Sequence, residues 1–298
     1  MMTPSETGAF LPIWEVAVND DRYLARSWAL LTSPKGWIKP VLVLTAASYV
    51  PIVGGIGVDG YALEWARLTA WGIDAAPKQR NVDIPACIIS GARALVVSLL
   101  LGVIVGIPMG VIRAIAVSFD GDFGNFLALV VGLVTFCVTL LANAAIMVAK
   151  LRVAIYEKMI AGFGISNIFE MIRRDNRGFL RILGISLLRT FIVAIAVIAM
   201  VVVFSVCLMP VFYSIIRADE AEALRSLANA CIPIALACVP AGFILSFVST
   251  IFTLLQYNAV GLWMRKFNVP AWGNPDDPLP NEASPLQRVE IRIPACGN

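Results

Sequence analysis

Apolar residues run in long blocks along this chain, and charge stands between the blocks. The runs 94–112, 126–149, 190–212 and about 228–255 each approach or exceed the about 20 apolar residues a helix needs to cross a bilayer. Arg93 and Arg113 bound the first, Lys150 follows the second, Arg181 and Arg189 precede the third, and Arg225 precedes the fourth. An earlier apolar region is interrupted by Pro51, Gly54, Gly55 and Gly57. It fits a single crossing helix that runs on through Tyr61, Trp65 and Trp71, or a short hairpin of two segments, 38–50 and 57–72, turning at 51–57.

A short pattern occurs twice beside these blocks: Lys35-Gly36-Trp37-Ile38-Lys39 and Arg177-Gly178-Phe179-Leu180-Arg181. Aromatic rings settle at headgroup depth and long cations snorkel outward, so each copy predicts an entrance to the membrane. Trp37, Lys39, Phe179, Arg181 and Arg189 are therefore expected at the interface or against lipid. An amphipathic stretch precedes each copy. Leu24, Trp28 and Leu31 share helical spacing in the first; in the second Asn167 is placed to cap a helix that carries Ile168, Met171 and Ile172 on one side. Both predict interfacial helices.

Composition agrees with a bilayer: 59% of residues are hydrophobic and only 14% charged, against about half and a quarter in soluble domains. The net charge of +3 comes from cations clustered beside apolar runs, which argues orientation and gives no ground for nucleic-acid binding. Counting those cations favours the hairpin. With six segments, the cations of 22–39, 78–93, 150–181 and 265–266 fall on one side, and only Arg113, Arg217 and Arg225 fall on the other. Within the returning arm, Glu64 and Arg67 are spaced to pair on one helix face. Met1 to Phe10 is polar and carries no basic stretch, so no secretory leader is expected.

Inside the spans, Gly102, Gly106 and Gly110 stand four apart, and Ala128, Gly132, Thr135, Thr139 and Asn143 form a matching face on the next run. Such small residues let membrane helices approach closely, so Gly102, Gly106, Gly110 and Gly132 are the expected packing positions of an antiparallel pair. Thr135, Thr139 and Asn143 are the alternative lining of a polar path. Gly55-Ile56-Gly57-Val58-Asp59-Gly60 fits G-x-G-x-x-G letter by letter, but outside the strand-turn-helix setting that gives this motif meaning. The chain has no histidine, and its six cysteines form no C-x-x-C pair. No catalytic residue, metal site or cofactor is expected from it.

The residues Gly36-Trp37-Ile38-Lys39, Ile52-Val53-Gly54, Asp59-Gly60-Tyr61, Arg67 and Gly72, then Tyr156, Gly162-Phe163, Ile168-Phe169 and Arg181, carry a resemblance. Over about 26–257 the chain resembles the uncharacterised prokaryotic membrane proteins grouped as domain of unknown function 4013. The resemblance implies a polytopic helical module and brings no activity with it. One departure is Ala75-Ala76-Pro77-Lys78, which stands where relatives commonly carry a Leu-Pro-x-Trp element.

The expectation is an all-α integral membrane protein with six membrane segments (38–50, 57–72, 94–112, 126–149, 190–212 and 228–255), the first two a short Pro/Gly-broken hairpin, plus two interfacial amphipathic helices. Residues 1–34 make a cytoplasmic arm, 35–268 the polytopic domain and 269–298 a polar tail. Both termini face the cytoplasm of a prokaryotic cell. The expected role is non-enzymatic, through helix packing, contact with anionic lipid of the inner leaflet, or a membrane-protein partner or second copy. A small-solute transporter or channel is the alternative, and a membrane-embedded enzyme stands behind both.

Overall fold

The computed structural model describes residues 22–217, 220–267 and 269, and every element among them is helical. α1 (Tyr23–Thr32), α2 (Ile38–Ser48), α3 (Val53–Ala70), α4 (Ile84–Val117) and α5 (Gly121–Tyr156) come first. A 3-10 turn, Met159–Phe163, leads to α6 (Ile165–Arg174), α7 (Asn176–Arg217) and α8 (Glu220–Met264), and a second, Arg265–Phe267, follows. Most of the predicted arm, 1–21, and nearly all of the tail, 270–298, lie outside the described residues.

Four helices are long and apolar enough to cross a membrane: Ile84–Val117, Gly121–Tyr156, Asn176–Val206 and Val239–Phe267. Their outer faces, at Ile104, Phe123, Leu129 and Leu133 among others, are exposed and apolar, as in a multi-pass membrane protein. Each helix runs beyond its predicted span. α4 has 34 residues and α5 has 36, so each is about 50 Å long. Lys150, which ended the second predicted run, is accommodated inside the bundle: α5 continues past Lys150 and Arg152 because both side chains find partners on neighbouring elements.

α3 is the centre of the bundle. It packs against α4 on one side and α8 on another, with Val58, Ala62, Leu63, Trp65 and Ala66 buried. α5 lies antiparallel beside α4, α7 lies beside α8, and α2 folds back onto α3 and α8. The hairpin of α2 and α3 turns more tightly than the predicted 51–57. Val53 N–H donates to the Pro51 carbonyl at 2.7 Å and closes a three-residue turn around Ile52 at φ 64°, ψ −64°. That positive-φ turn is rare and strained for a β-branched residue. The glycines that follow are helical. A methyl group on Gly54 would overlap the Ala47 carbonyl, one on Gly60 the Cys87 carbonyl, and one on Gly91 the Ile56 carbonyl. The Gly60 and Gly91 contacts are reciprocal, so α3 and α4 meet backbone to backbone.

These contacts correct the predicted packing face. No atom of another element comes within 4 Å of a methyl group built on Gly102, Gly106, Gly110 or Gly132, although α4 and α5 do form a close antiparallel pair. Val97, Leu101 and Ala144 are buried instead, while the four glycines have open space around them.

The two membrane-entrance patterns take different shapes. Gly36 adopts φ 86° in a turn before α2, and Trp37 meets Trp28 edge-on at 5.7 Å. In the second copy the pattern is already helical: Asp175 accepts from Gly178 N–H at 2.9 Å and caps the first turn of α7. The amphipathic helices also differ from expectation. α1 buries Tyr23, Ser27 and Leu31 against α8 and leaves Trp28 exposed, because it docks on the bundle rather than resting on its periphery. α6 buries Ile168 and Met171 as expected but begins at Ile165, so Asn167 is inside the helix and caps nothing.

Candidate functional site: a charged cavity among the long helices

Each of the four long helices contributes to one cavity of about 870 Å³, with Asp59 of α3 at its charged end. The sequence places a carboxylate, Asp59, in the glycine-rich part of α3, immediately before the Gly60 contact that fixes α3 against α4. The close approach holds Asp59 in position toward α5. There Lys150 Nζ donates to Asp59 Oδ2 at 2.9 Å and to the Tyr257 hydroxyl at 3.1 Å, and that hydroxyl donates to Asp59 Oδ2 at 3.3 Å. The three groups form a closed triangle across α3, α5 and α8. Tyr257 is 1% exposed, and the Lys150 and Asp59 side chains are 14% and 34% exposed.

A second polar strand runs beside the triangle. Arg189 of α7 donates through Nη1 to Gln256 Oε1 at 3.0 Å; Gln256 Nε2 donates to Ser186 Oγ, and Ser186 donates to the Ile182 carbonyl at 3.2 Å. Gln256 follows Ser249 by seven residues and so shares the face of α8 that lines the cavity. Arg189 hydrogen-bonds a neutral amide and has no ion-pair partner among the described residues. Two cations and one carboxylate line the cavity, leaving one positive charge in excess. Leu140, Val193, Val197 and Ile198 continue the wall away from this polar end.

Of the residues singled out from sequence, Gly102, Asn143 and Arg189 line this cavity. Thr135 and Thr139 do not, and the buried Thr135 hydroxyl has no hydrogen-bond partner. Lys39 and Arg181 are exposed and Trp37 is half-buried. Phe179 is not a surface residue: it is 4% exposed and lies 6.0 Å from the Trp263 ring, because α8 ends against the first turn of α7. Asp59, Lys150, Gln256 and Tyr257 are absent from the sequence reading as a set. The available signal was Asp59 among the glycines and apolar residues at the start of α3, since ionisable residues at membrane depth mark sites by default.

Around the cavity, ionic contacts tie the helix ends together. Glu64 and Arg67 form the expected pair at 3.3 Å, Arg67 also reaches Glu157 at 2.6 Å, and Ser90 donates to Glu64. Asp74 receives Arg26 at 2.7 Å and Arg265 at 3.1 Å. The link after α3 is held by α3 itself: the Tyr61 hydroxyl donates to the Lys78 carbonyl at 2.6 Å, and the Trp65 indole to the Ala75 carbonyl at 2.8 Å.

The model of a family described as a protein of unknown function, DUF4013, matches residues 43–204, from within α2 to within α7. This is narrower than the 26–257 over which the motifs resemble that family, and it leaves out α8 with Gln256 and Tyr257. No curated protein matches the chain, and no solved structure does. The chain belongs to the DUF4013 family, whose function is unknown.

Proposed function

We propose that this protein is a non-enzymatic integral protein of a prokaryotic cell membrane that holds a membrane amphiphile between its long helices. The observation that carries this reading is the cavity itself. Asp59, Lys150, Arg189, Gln256 and Tyr257 make one end charged and polar, while Leu140, Val193, Val197 and Ile198 supply an apolar wall. A molecule with a polar head and a hydrocarbon tail matches both ends, and a small hydrophilic solute matches only one. Asn143 and Thr190 remain exposed at the cavity wall, which supports access from the side.

In this reading α2 and α3 count as a hairpin that enters and leaves on one side, giving six segments. α2, at 11 residues, is about 16 Å long and too short to cross alone. The exposed cations Lys35, Lys39, Lys158, Arg173, Arg174, Arg177 and Arg181 then face the cytoplasm, as do both termini. The test is native mass spectrometry of the full chain released from mild detergent. Retention of about one lipid per protein under activation that strips the detergent supports the reading, and a bare protein contradicts it.

A second reading is favoured by one observation: Asn143 lines the cavity close to the Asp59–Lys150 pair, as in a small-solute transporter. Solute flux in reconstituted vesicles that Asn143→Leu abolishes would favour transport over lipid holding.

A further inference from the structure

Charge inside the cavity does not balance, and the imbalance sits on one side chain. Lys150 is neutralised by Asp59 at 2.9 Å, whereas Arg189 meets only the neutral Gln256 amide. A guanidinium has five N–H donors, and one of them reaches Gln256 Oε1. Arg189 lines the cavity, where Ser98 and Asn143 stand as further polar groups and Val193, Val197 and Ile198 follow along α7. An uncompensated cation at the side of a membrane bundle is costly, and a planar guanidinium matches two oxygens of one oxyanion.

We propose that Arg189 is the anchor for a singly negative phosphodiester headgroup, so that the ligand is an anionic phospholipid with its acyl chain along Val193, Val197 and Ile198. This rests on the amphiphile-holding reading and adds the charge of the head. One negative charge balances the cavity, since two cations less one carboxylate leave one positive charge. A zwitterionic head leaves Arg189 facing an added cation. Asp59 keeps Lys150 occupied, which makes Arg189 rather than Lys150 the discriminating residue.

The experiment loads the full chain in neutral detergent with phosphatidylglycerol or with phosphatidylcholine of the same acyl chains, and measures the lipid retained by native mass spectrometry. Phosphatidylglycerol should be retained about tenfold better, the effect of one charge-assisted hydrogen-bonded pair. Arg189→Gln should abolish the preference, Arg189→Lys should keep part of it, and Arg177→Gln, which removes an exposed cation outside the cavity, should leave it unchanged. Val197→Trp, which fills the apolar wall and leaves every charge in place, should reduce retention of both lipids and carries the test if Arg189→Gln fails to fold. Equal retention of the two lipids overturns the headgroup assignment while leaving amphiphile holding intact. An equal loss in Arg177→Gln also overturns it, because surface charge then suffices. Competition by millimolar inorganic phosphate shows a soluble anion to be the ligand and overturns the lipid assignment. Retention of neither lipid by the wild-type chain overturns the underlying reading itself.

Discussion

A glycine matters in this protein where a backbone stands against it. At Gly60 and Gly91 the facing atoms are main-chain carbonyls of Cys87 and Ile56, which cannot rotate away as a side chain does. Gly60→Ala or Gly91→Ala is therefore expected to destabilise the fold by about 3 kcal/mol through overpacking. Gly106→Ala meets nothing within 4 Å and should raise stability by up to about 1 kcal/mol from helix propensity alone. Unfolding of the purified variants in mixed detergent measures both, and equal effects at the two kinds of site would refute the packing argument. At Asp59 the consequence is electrostatic. Asp59→Asn leaves the largely buried Lys150 without a counter-charge, facing a neutral amide and the Tyr257 hydroxyl. Removing one partner of a fully buried pair costs about 3–5 kcal/mol, and the one-third exposure of Asp59 brings the expected loss to about 2 kcal/mol. Asp59→Asn combined with Lys150→Met should restore more than half of that loss in the same unfolding assay. Additive losses would show that the pair does not act as a unit.

Among the elements, the α2–α3 hairpin is the one on which the sequence left two readings open. Ser48 at the end of α2 lies with its hydroxyl 2.9 Å from that of Ser246 on α8, and Tyr49 stacks on Phe243 at 6.3 Å. Ser48→Cys combined with Ser246→Cys should thus form a disulfide under mild oxidation, seen as a fragment pair held together after proteolysis and absent from each single variant. A continuous helix through residue 52 would carry Ser48 away from α8 and give no cross-link. Helix existence was legible throughout, because the apolar runs are long and Pro51 punctuates them. Their ends were not, because Lys150 and Arg152 look like terminators until Asp59 and the Ala161 carbonyl are seen beside them. Gly54 reads as a turn residue for a related reason: a glycine that bends the chain and one that admits a neighbouring helix look alike without the neighbour. The candidate site was legible only at Arg189, Asn143 and Gly102. Local spacing identifies Glu64 with Arg67, three apart, but gives no sign that Asp59 meets Lys150, 91 residues away, or Tyr257, 198 away.

For the whole molecule, ionic contacts gather where the ends of α3, α5 and α8 meet the starts of α1 and α7. Arg26 and Arg265 share Asp74, Lys266 reaches Asp175 at 3.3 Å, and Arg67 reaches Glu157. Each such partly exposed pair contributes little by itself, about 0–1 kcal/mol, but together they set the helix ends in register at the charged end of the cavity. The same end carries the exposed cations that orient the chain, so orientation and site are linked. With that end cytoplasmic, a cysteine replacing Ser5 should resist a membrane-impermeant thiol reagent in intact cells, while one replacing Asp120, in the turn between α4 and α5, should react. The reverse pattern would invert the protein in its membrane. The central claim is that a lipid occupies the cavity, and photo-crosslinking in membranes with a phospholipid carrying a diazirine in its acyl chain tests it most directly. The account predicts that labelled peptides concentrate on Leu140 and Val193, which line the cavity and are only partly exposed. Labelling confined to outward positions such as Ile104, Leu129 and Leu133, as ordinary surrounding lipid gives, would contradict it.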